Sequence, residues 1–120
     1  MSIELLFDAD VRDGVLGAPV RSAGVNETTL TGDETLDAAS SERFQRLDPG
    51  GASRDVTLPA EEGNNRLWYY ILNAADAAED LVVKNDNGDT IATVSQNEAA
   101  VFVCSGSSWV HMGIITIALS

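Results

Sequence analysis

From residue 43 onward, the chain alternates between short apolar stretches with a period of two and small groups of turn-forming residues. The turn-forming groups contain Pro-Gly, Asn-Gly, Asn-Glu and Ser-Gly pairs. A period of two places successive side chains on opposite faces of a β-strand, so the pattern predicts a small all-β domain. The predicted strands cover residues 43–47, 55–58, 67–73, 81–84, 90–94, 99–104 and 109–117.

The segments between these strands have recognisable turn chemistry. In residues 48–51, Asp-Pro-Gly-Gly, proline presets φ and two glycines tolerate positive φ, which predicts a tight turn. Asn87 and Gly88 stand between two apolar runs and predict a two-residue hairpin with a type I′ turn. Residues 74–80, AADAAED, have a helix-like composition but are too few for a stable helix, so we expect a loop or a single turn.

Seven or more short strands at this spacing predict one jelly-roll-like or β-sandwich domain over residues 41–120. Residues 1–40 differ, because glycines and a proline interrupt every candidate helix. They predict an extended N-terminal arm with one or two short strands and a small share of the core. Two interpretations of the arm remain open, a poorly ordered terminus or a segment that pairs with a partner's sheet edge.

Composition narrows the class of protein. A chain of 120 residues with 44% hydrophobic residues is sufficient for one domain with a single core. No uninterrupted apolar run is long enough for a membrane span, and acids occupy the start of the chain where a signal peptide has basic residues. We therefore expect a soluble protein made in a cytoplasm, with no membrane partner. The single cysteine, Cys104, excludes an internal disulfide.

The formal net charge of -12 argues against a nucleic-acid partner, because binding to phosphates requires lysine and arginine. Most of the acids are explained by a solvated surface that maintains solubility. The distribution of the charge is more informative, since no residue after Glu98 carries a formal charge apart from a possible proton on His111. This absence predicts that residues 99–104 and 109–119 are core strands or strands that face another subunit.

Several consecutive motifs resemble a group of small virion proteins of tailed bacteriophages. They are LDPGGASRDVTLP, the strand WYYILN, then DLVVKNDNGDTIATV, an Asn-Glu turn, AVFVC and a Ser-Gly-x-x-Trp hairpin, and they span roughly residues 43–110. The proteins of this group are encoded beside head and capsid genes and are regarded as capsid decoration, or cement, proteins.

The resemblance implies an all-β homotrimer on the outer surface of an icosahedral head, without enzymatic activity. Its partners would be the major capsid protein and other copies of the chain, and it would be part of the virion after synthesis in the host cytoplasm. Similar hairpin series also occur in tail-fibre modules. The alternative function is therefore a receptor- or glycan-binding virion module, such as a tail-fibre tip, with exposed aromatics and acids in a concave site.

Side chains with catalytic or metal-binding chemistry are few. Cys104 and His111 lie on neighbouring predicted strands and suggest a distant third possibility, a thiol-dependent enzyme, but the sequence shows no third orienting group. A buried inert thiol and a packed histidine are the favoured interpretations. The acids of residues 86–89 and 76–80 lack the spacing of a calcium loop or a carboxylate pair. We therefore predict no catalytic residue, metal or cofactor.

The predicted contact residues come from two parts of the chain. Trp68 and Tyr70 share one face of a predicted strand, and Trp109 begins the last strand. In the arm, apolar residues are spaced like anchors along an extended segment, and we expect residues 1 to about 27 to reach a neighbouring subunit. The predicted capsid or subunit contacts are Ile3, Leu5, Leu6, Phe7, Val15, Leu16, Trp68, Tyr70 and Trp109.

Overall fold

The computed structural model describes residues 24–118, which contain nine β-strands and no helix. Most strands are four to eight residues long and contain the apolar runs of the sequence, while the loops contain the prolines and most of the glycines and acids among the described residues. The strands are β1 Val25–Thr29, β2 Glu34–Thr35, β3 Phe44–Asp48, β4 Arg54–Thr57, β5 Trp68–Asn73, β6 Leu81–Lys84, β7 Thr90–Val94, β8 Glu98–Cys104 and β9 Trp109–Thr116.

The strands form two mixed sheets, and the first six strands alternate between them. One sheet has five strands in the order β1-β3-β5-β8-β9, and the other has four in the order β2-β4-β6-β7. The chain crosses to the opposite sheet after each of its first five strands, so successive strands of one sheet run parallel. Val25 pairs with Phe44 and Phe44 with Tyr70 in the first sheet, while Glu34 pairs with Val56 in the second. This part of the chain therefore winds as three coils.

The last three strands close the coils with antiparallel pairs. β7 returns beside β6, and β8 crosses back to the first sheet, where it pairs antiparallel with β5. β9 then forms a hairpin with β8 through residues 105–108, with Cys104 opposite Trp109. The register of this hairpin shifts between Ala100 and Phe102, which is typical of a β-bulge. As a result, β9 is the final edge strand of the five-stranded sheet.

The hydrophobic core lies between the two sheets. It is built mainly from alternate residues of the central strands, as the burial of Leu47, Tyr69 and Ile71 in one sheet and of Val56 and Val83 in the other shows. These side chains are fully buried, and burial of one such side chain stabilises the folded state by roughly 1.5–3 kcal/mol. Inward and outward positions are therefore fixed along β3, β5 and β8.

The prediction of an all-β fold is confirmed, and the predicted strand bounds agree with the structure to within one or two residues. The connectivity is not that of a jelly roll, whose strands pair in antiparallel Greek keys, because four of the seven strand pairs are parallel. Within the predicted arm, residues 24–40 provide β1 and β2 and place Leu30 and Leu36 in the core. Residues 1–23, including Ile3, Leu5, Leu6, Phe7, Val15 and Leu16, lie outside the described residues.

The predicted turns have a mixed outcome. Gly50 and Gly51 have φ values of 78° and 107°, as the tight-turn prediction requires, although the turn joins strands of different sheets. The two-residue type I′ turn at Asn87 and Gly88 is wrong, because five residues separate the paired Lys84 and Thr90. Residues 74–80 form a loop without a helix, as expected.

The five-residue loop between β6 and β7 is organised by an asparagine that precedes the predicted turn. The side-chain oxygen of Asn85 accepts hydrogen bonds from the backbone amides of Asn87, at 3.0 Å, and Asp89, at 2.9 Å. Such an Asx turn supplies the reversal within the loop, so only Gly88 needs a positive φ.

Candidate functional site

An aromatic cluster lies on the outer face of the five-stranded sheet. The rings of Phe44 and Trp68 meet edge to face with centroids 5.6 Å apart, and the Tyr70 ring is 5.5 Å from Phe44. All three side chains are half-buried, whereas Tyr69, which points the opposite way from β5, is in the core. The predicted alternation of Trp68 and Tyr70 against Tyr69 is therefore present. These aromatics are available on the surface of the described chain.

The apolar surface continues from this cluster across β8 to β9. Trp68 is opposite Val103, which is opposite Val110 of β9. Tyr70 is opposite Val101, and Val101 and Val103 are half-buried. Apolar residues thus cover much of the outer face of the sheet as well as its inner face, a pattern typical of sheets that are covered on both sides.

β9, at the end of this surface, has four exposed large apolar side chains. Val110 is 51% exposed, Met112 73%, Ile114 37% and Ile115 52%. By contrast, the preceding β8 buries Ala99, Ala100, Phe102 and Cys104. The prediction that the uncharged C-terminal residues are core strands is thus met by β8 and by Trp109, but not by residues 110–116 of the single chain. For these residues, the remaining interpretation of the sequence is contact with another subunit.

Trp109, the third predicted contact residue in the described chain, lies in the core of its own chain. It is 5% exposed, its ring packs 6.1 Å from that of Tyr69, and its indole nitrogen donates a 2.9 Å hydrogen bond to the Pro59 carbonyl. The indole joins β9 to the loop after β4. The apolar outer face of the five-stranded sheet therefore contains Trp68 and Tyr70, whereas Trp109 supports β9 from inside the protein.

The described hydrogen bonds of Cys104 and His111 go to other residues and do not join the two side chains. Cys104 is buried, where its sulfur accepts a 3.4 Å hydrogen bond from the Gly106 amide and lies 3.6 Å from the Glu61 carbonyl oxygen. His111 is exposed, and its Nδ1 accepts from the Gly113 amide at 3.2 Å. The expected burial of Cys104 is confirmed. His111 is a strand residue, as expected, and its ring lies 6.2 Å from that of Phe102, but its side chain is exposed.

Replacing Cys104 by serine is expected to lower the free energy of unfolding by about 1–3 kcal/mol, because a hydroxyl is costlier than a thiol in an apolar site. Chemical denaturation of the two proteins measures this difference. The native thiol should also react slowly with a bulky thiol reagent, since Cys104 is buried. Rapid labelling of the folded protein would contradict this account of Cys104.

Two acidic segments of the sequence, residues 76–80 and 86–89, have side chains that could in principle bind a metal or act as a carboxylate pair. In the structure, Asp48, Asp76 and Glu79 have carboxylate oxygens within 4.8 Å of one another. Backbone amides already engage two of these groups: Gly50 donates to Asp48 at 2.9 Å and Gly51 donates to Glu79 at 3.2 Å. The second segment, residues 86–89, belongs to the Asx turn described above. Asp48 and Glu79 thus accept hydrogen bonds from the loop backbone, and Asp89 donates its backbone amide to the Asx turn.

The larger surface depressions of the described chain do not contain the aromatic cluster. One, of about 310 Å³, lies beside Glu27, Arg46 and Asp48. Another, of about 330 Å³, lies between Arg43 and Arg66. A smaller apolar groove of about 100 Å³ passes between Val25, Phe44 and Tyr70. The aromatic cluster therefore borders only this small groove among the three depressions, which is less space than a typical small-molecule pocket provides.

Burial raises the pKa of Tyr69 above its ordinary value of 10.0, and the nearby Arg43 partly opposes this shift. A raised pKa means that the folded state binds the phenol proton more tightly than the unfolded state does. Its contribution to stability is thus complete below pH 10 and declines as the pH rises through the folded-state pKa.

Wild-type protein should therefore lose stability more steeply above pH 10 than Tyr69→Phe, whose ring has no ionisable group. Free energies of unfolding measured between pH 8 and pH 11 check this difference. Parallel curves for the two proteins would show that Tyr69 does not carry the effect.

Asn73 is a buried polar residue that links three segments near one end of the sheets. Its side-chain nitrogen donates to the carbonyls of Glu79, at 2.8 Å, and Val94, at 2.9 Å, while its oxygen accepts from the Ala75 amide at 2.8 Å. In sequence, Asn73 appears only as the end of the strand WYYILN. The signal that could have identified it is a strand whose inward positions, Tyr69 and Ile71, lead on to an asparagine.

No described helix could cross a membrane. Comparisons of the chain with protein-family models, with curated proteins and with solved structures find no match.

Proposed function

We propose that the protein is a capsid decoration protein that binds the outer surface of an icosahedral phage head as a homotrimer and stabilises it. The observation that carries this proposal is the apolar surface of the five-stranded sheet and β9, which is exposed in a chain of net charge -12. A solvent-exposed strand with four large apolar side chains indicates a partner. The resemblance of residues 43–110 to decoration proteins suggests two partners, the major capsid protein and other copies of the chain.

The proposed mechanism is mass action. A protein that binds the assembled shell but not its separated subunits lowers the free energy of the shell by its own binding energy. Three contacts on one trimer bind more tightly than one, because the second and third contacts form at a high effective concentration. No catalytic group is needed for this role, and the buried thiol of Cys104 is consistent with binding alone.

The predicted N-terminal contact remains part of this proposal. Apolar residues of the arm, Ile3, Leu5 and Phe7 among them, would contact a capsid or decoration subunit, as would Val15 and Leu16. The structure narrows the deletion that tests this contact, because Val25 already pairs with Phe44 in β1. A deletion of residues 1–23 is expected to keep the two sheets and to weaken capsid binding, whereas unchanged binding would place the contact elsewhere.

Heating undecorated heads with increasing amounts of the protein tests the stabilising role. We expect the temperature of head disruption to rise with protein concentration, because mass action predicts a concentration-dependent shift. An equal concentration of bovine serum albumin controls for non-specific protection. If the protein binds heads without raising this temperature, it is not a stabilising protein.

The aromatic cluster favours a second candidate, a receptor- or glycan-binding module of a tail fibre. Sugar rings stack on exposed aromatic faces, and Phe44, Trp68 and Tyr70 present such faces together. Binding to immobilised bacterial surface glycans, lost in Trp68→Ala, would support this candidate. The small size of the groove beside the cluster and the absence of aromatics from the two larger depressions make it the weaker proposal.

A further inference from the structure

β9 is an edge strand that lacks most of the features that usually protect such edges. It is eight residues long and, in the part of the chain that the structure describes, pairs only with β8. It has no lysine, proline or acid, although Gly113 adopts a φ of 100° beside the bulge in the hairpin. The other edges are two to five residues long, and β1 carries Glu27. Long, uncharged edges with free backbone groups are sites where a second chain adds.

The exposed residues of β9 occupy both of its faces. Val110 and Ile115 continue the outer apolar surface, because they lie opposite Val103 and Ala99. Ile114 lies opposite Ala100, whose side chain points into the core, so Ile114 extends the inner face beyond the other sheet. A partner that covers only one face of β9 would leave the other face in water. Complete coverage requires a partner that meets the edge itself.

The charge of the protein indicates which partner fits. A basic partner would bind the acidic residues of this chain. Residues 99–118, which include β9, contain no Asp or Glu. Two copies of a chain with net charge -12 repel each other over most of their surfaces, so they associate most readily where the surface is neutral. β9 provides that neutral surface. Residues beside a threefold axis meet their own equivalents, so three β9 strands can bury one another around such an axis.

We propose that β9 and the adjoining outer face of β8 form the contact between copies of this chain. The inference rests on the self-association part of the proposed function and names the surface responsible for it. Val25, which is 58% exposed, lies at the opposite edge of the same sheet, four strand spacings or about 19 Å from β9. This residue is outside the proposed contact and provides a matched control.

The test compares full-length wild-type protein, the double variant Met112→Lys and Ile115→Lys, and the control variant Val25→Lys by sedimentation equilibrium. We expect wild type and Val25→Lys to be trimers at micromolar concentration and the β9 variant to be a monomer. Far-ultraviolet circular dichroism and thermal unfolding establish that the variants remain folded. A trimeric β9 variant, or a wild-type protein that stays monomeric at about 100 μM, would overturn the proposal.

Hydrogen exchange of the wild-type protein provides an independent measurement that needs no variant. Amides of β9 that become buried between copies should exchange more slowly as the protein concentration rises, while those of β5 should not change. Protection of β9 that persists at concentrations where sedimentation shows only monomer would mean that the edge is covered without a second copy, and would overturn the proposal.

The oligomeric state also separates this inference from the proposed function. A wild-type dimer that the β9 substitutions dissociate would support the contact between copies and contradict the homotrimer. A trimer that the substitutions dissociate, but that does not bind heads, would support the contact and contradict the role in capsid decoration.

Discussion

Replacing Asn73 by alanine is expected to lower the free energy of unfolding by about 3–5 kcal/mol. The substitution removes one acceptor and both donors that join β5 to the following loop and to the end of β7. It deprives two carbonyls and one amide of these hydrogen bonds around a side chain with no solvent exposure, and a buried group left unsatisfied costs about 1–3 kcal/mol before relaxation. Chemical denaturation monitored by tryptophan fluorescence measures the change.

Asn87→Ala is the matched control for this substitution. Asn87 is exposed in the loop between β6 and β7, and no described hydrogen bond uses its side chain, so its replacement should change stability by less than about 0.5 kcal/mol. Equal effects of the two substitutions would contradict the assignment of Asn73 as the polar link between these segments.

Replacing Gly50 by alanine is expected to destabilise the protein by about 4 kcal/mol or more, enough to prevent folding of a marginally stable domain. A Cβ atom at residue 50 would overlap the Leu30 carbonyl oxygen and lie 3.1 Å from Cγ2 of Thr29. Leu30 cannot easily move away, because its amide donates a 2.8 Å hydrogen bond to the Asp48 carbonyl. The positive φ of 78° adds about 1–2 kcal/mol for a residue with a side chain.

Gly51→Ala separates the two causes. Gly51 also has a positive φ, of 107°, but a Cβ atom there would have no neighbour within 4 Å. This variant should therefore lose only the conformational contribution and remain folded. The difference between the two melting temperatures measures the close approach of the first coil to the turn after β3. A Gly50→Ala protein as stable as Gly51→Ala would show that β1 does not pack against that turn.

The strands were predictable because the information that specifies them is local. Alternation in residues 67–73 places Tyr69 and Ile71 on one face and Trp68 and Tyr70 on the other, and the structure has the same faces. The turn residues at 48–51 were recognised for the same reason, since proline and glycine act on their own backbone angles. Local patterns do not reveal which strands pair.

The pairing of the strands depends on contacts between distant residues, which is why it was not predictable. Phe44 pairs with Tyr70 across 26 positions of the sequence, and nothing in either strand distinguishes a parallel neighbour from an antiparallel one. A corner between sheets and a hairpin turn both require glycine, proline or asparagine. One or two short strands were predicted within residues 1–40, but the core positions of Leu30 and Leu36 were not, because these leucines lie in a polar, glycine-containing segment.

The candidate surface was only partly visible in the sequence. An uncharged strand has the same composition whether it is buried in its own domain or against a second subunit, so β8 and β9 could not be distinguished until the positions of their neighbours were known. The aromatic cluster was half visible: Trp68 and Tyr70 are neighbours on one strand face, but Phe44 joins them through the pairing of β3 with β5.

Co-sedimentation with separated virion parts tests the central claim most directly. Purified full-length protein is mixed with undecorated, tailless heads and, separately, with isolated tails of a phage that encodes it, and bound protein is measured in each pellet. The account predicts saturable binding to heads, at a stoichiometry that is a multiple of three per binding site on the shell, and no binding to tails. Binding to tails alone, or to neither part, would contradict it.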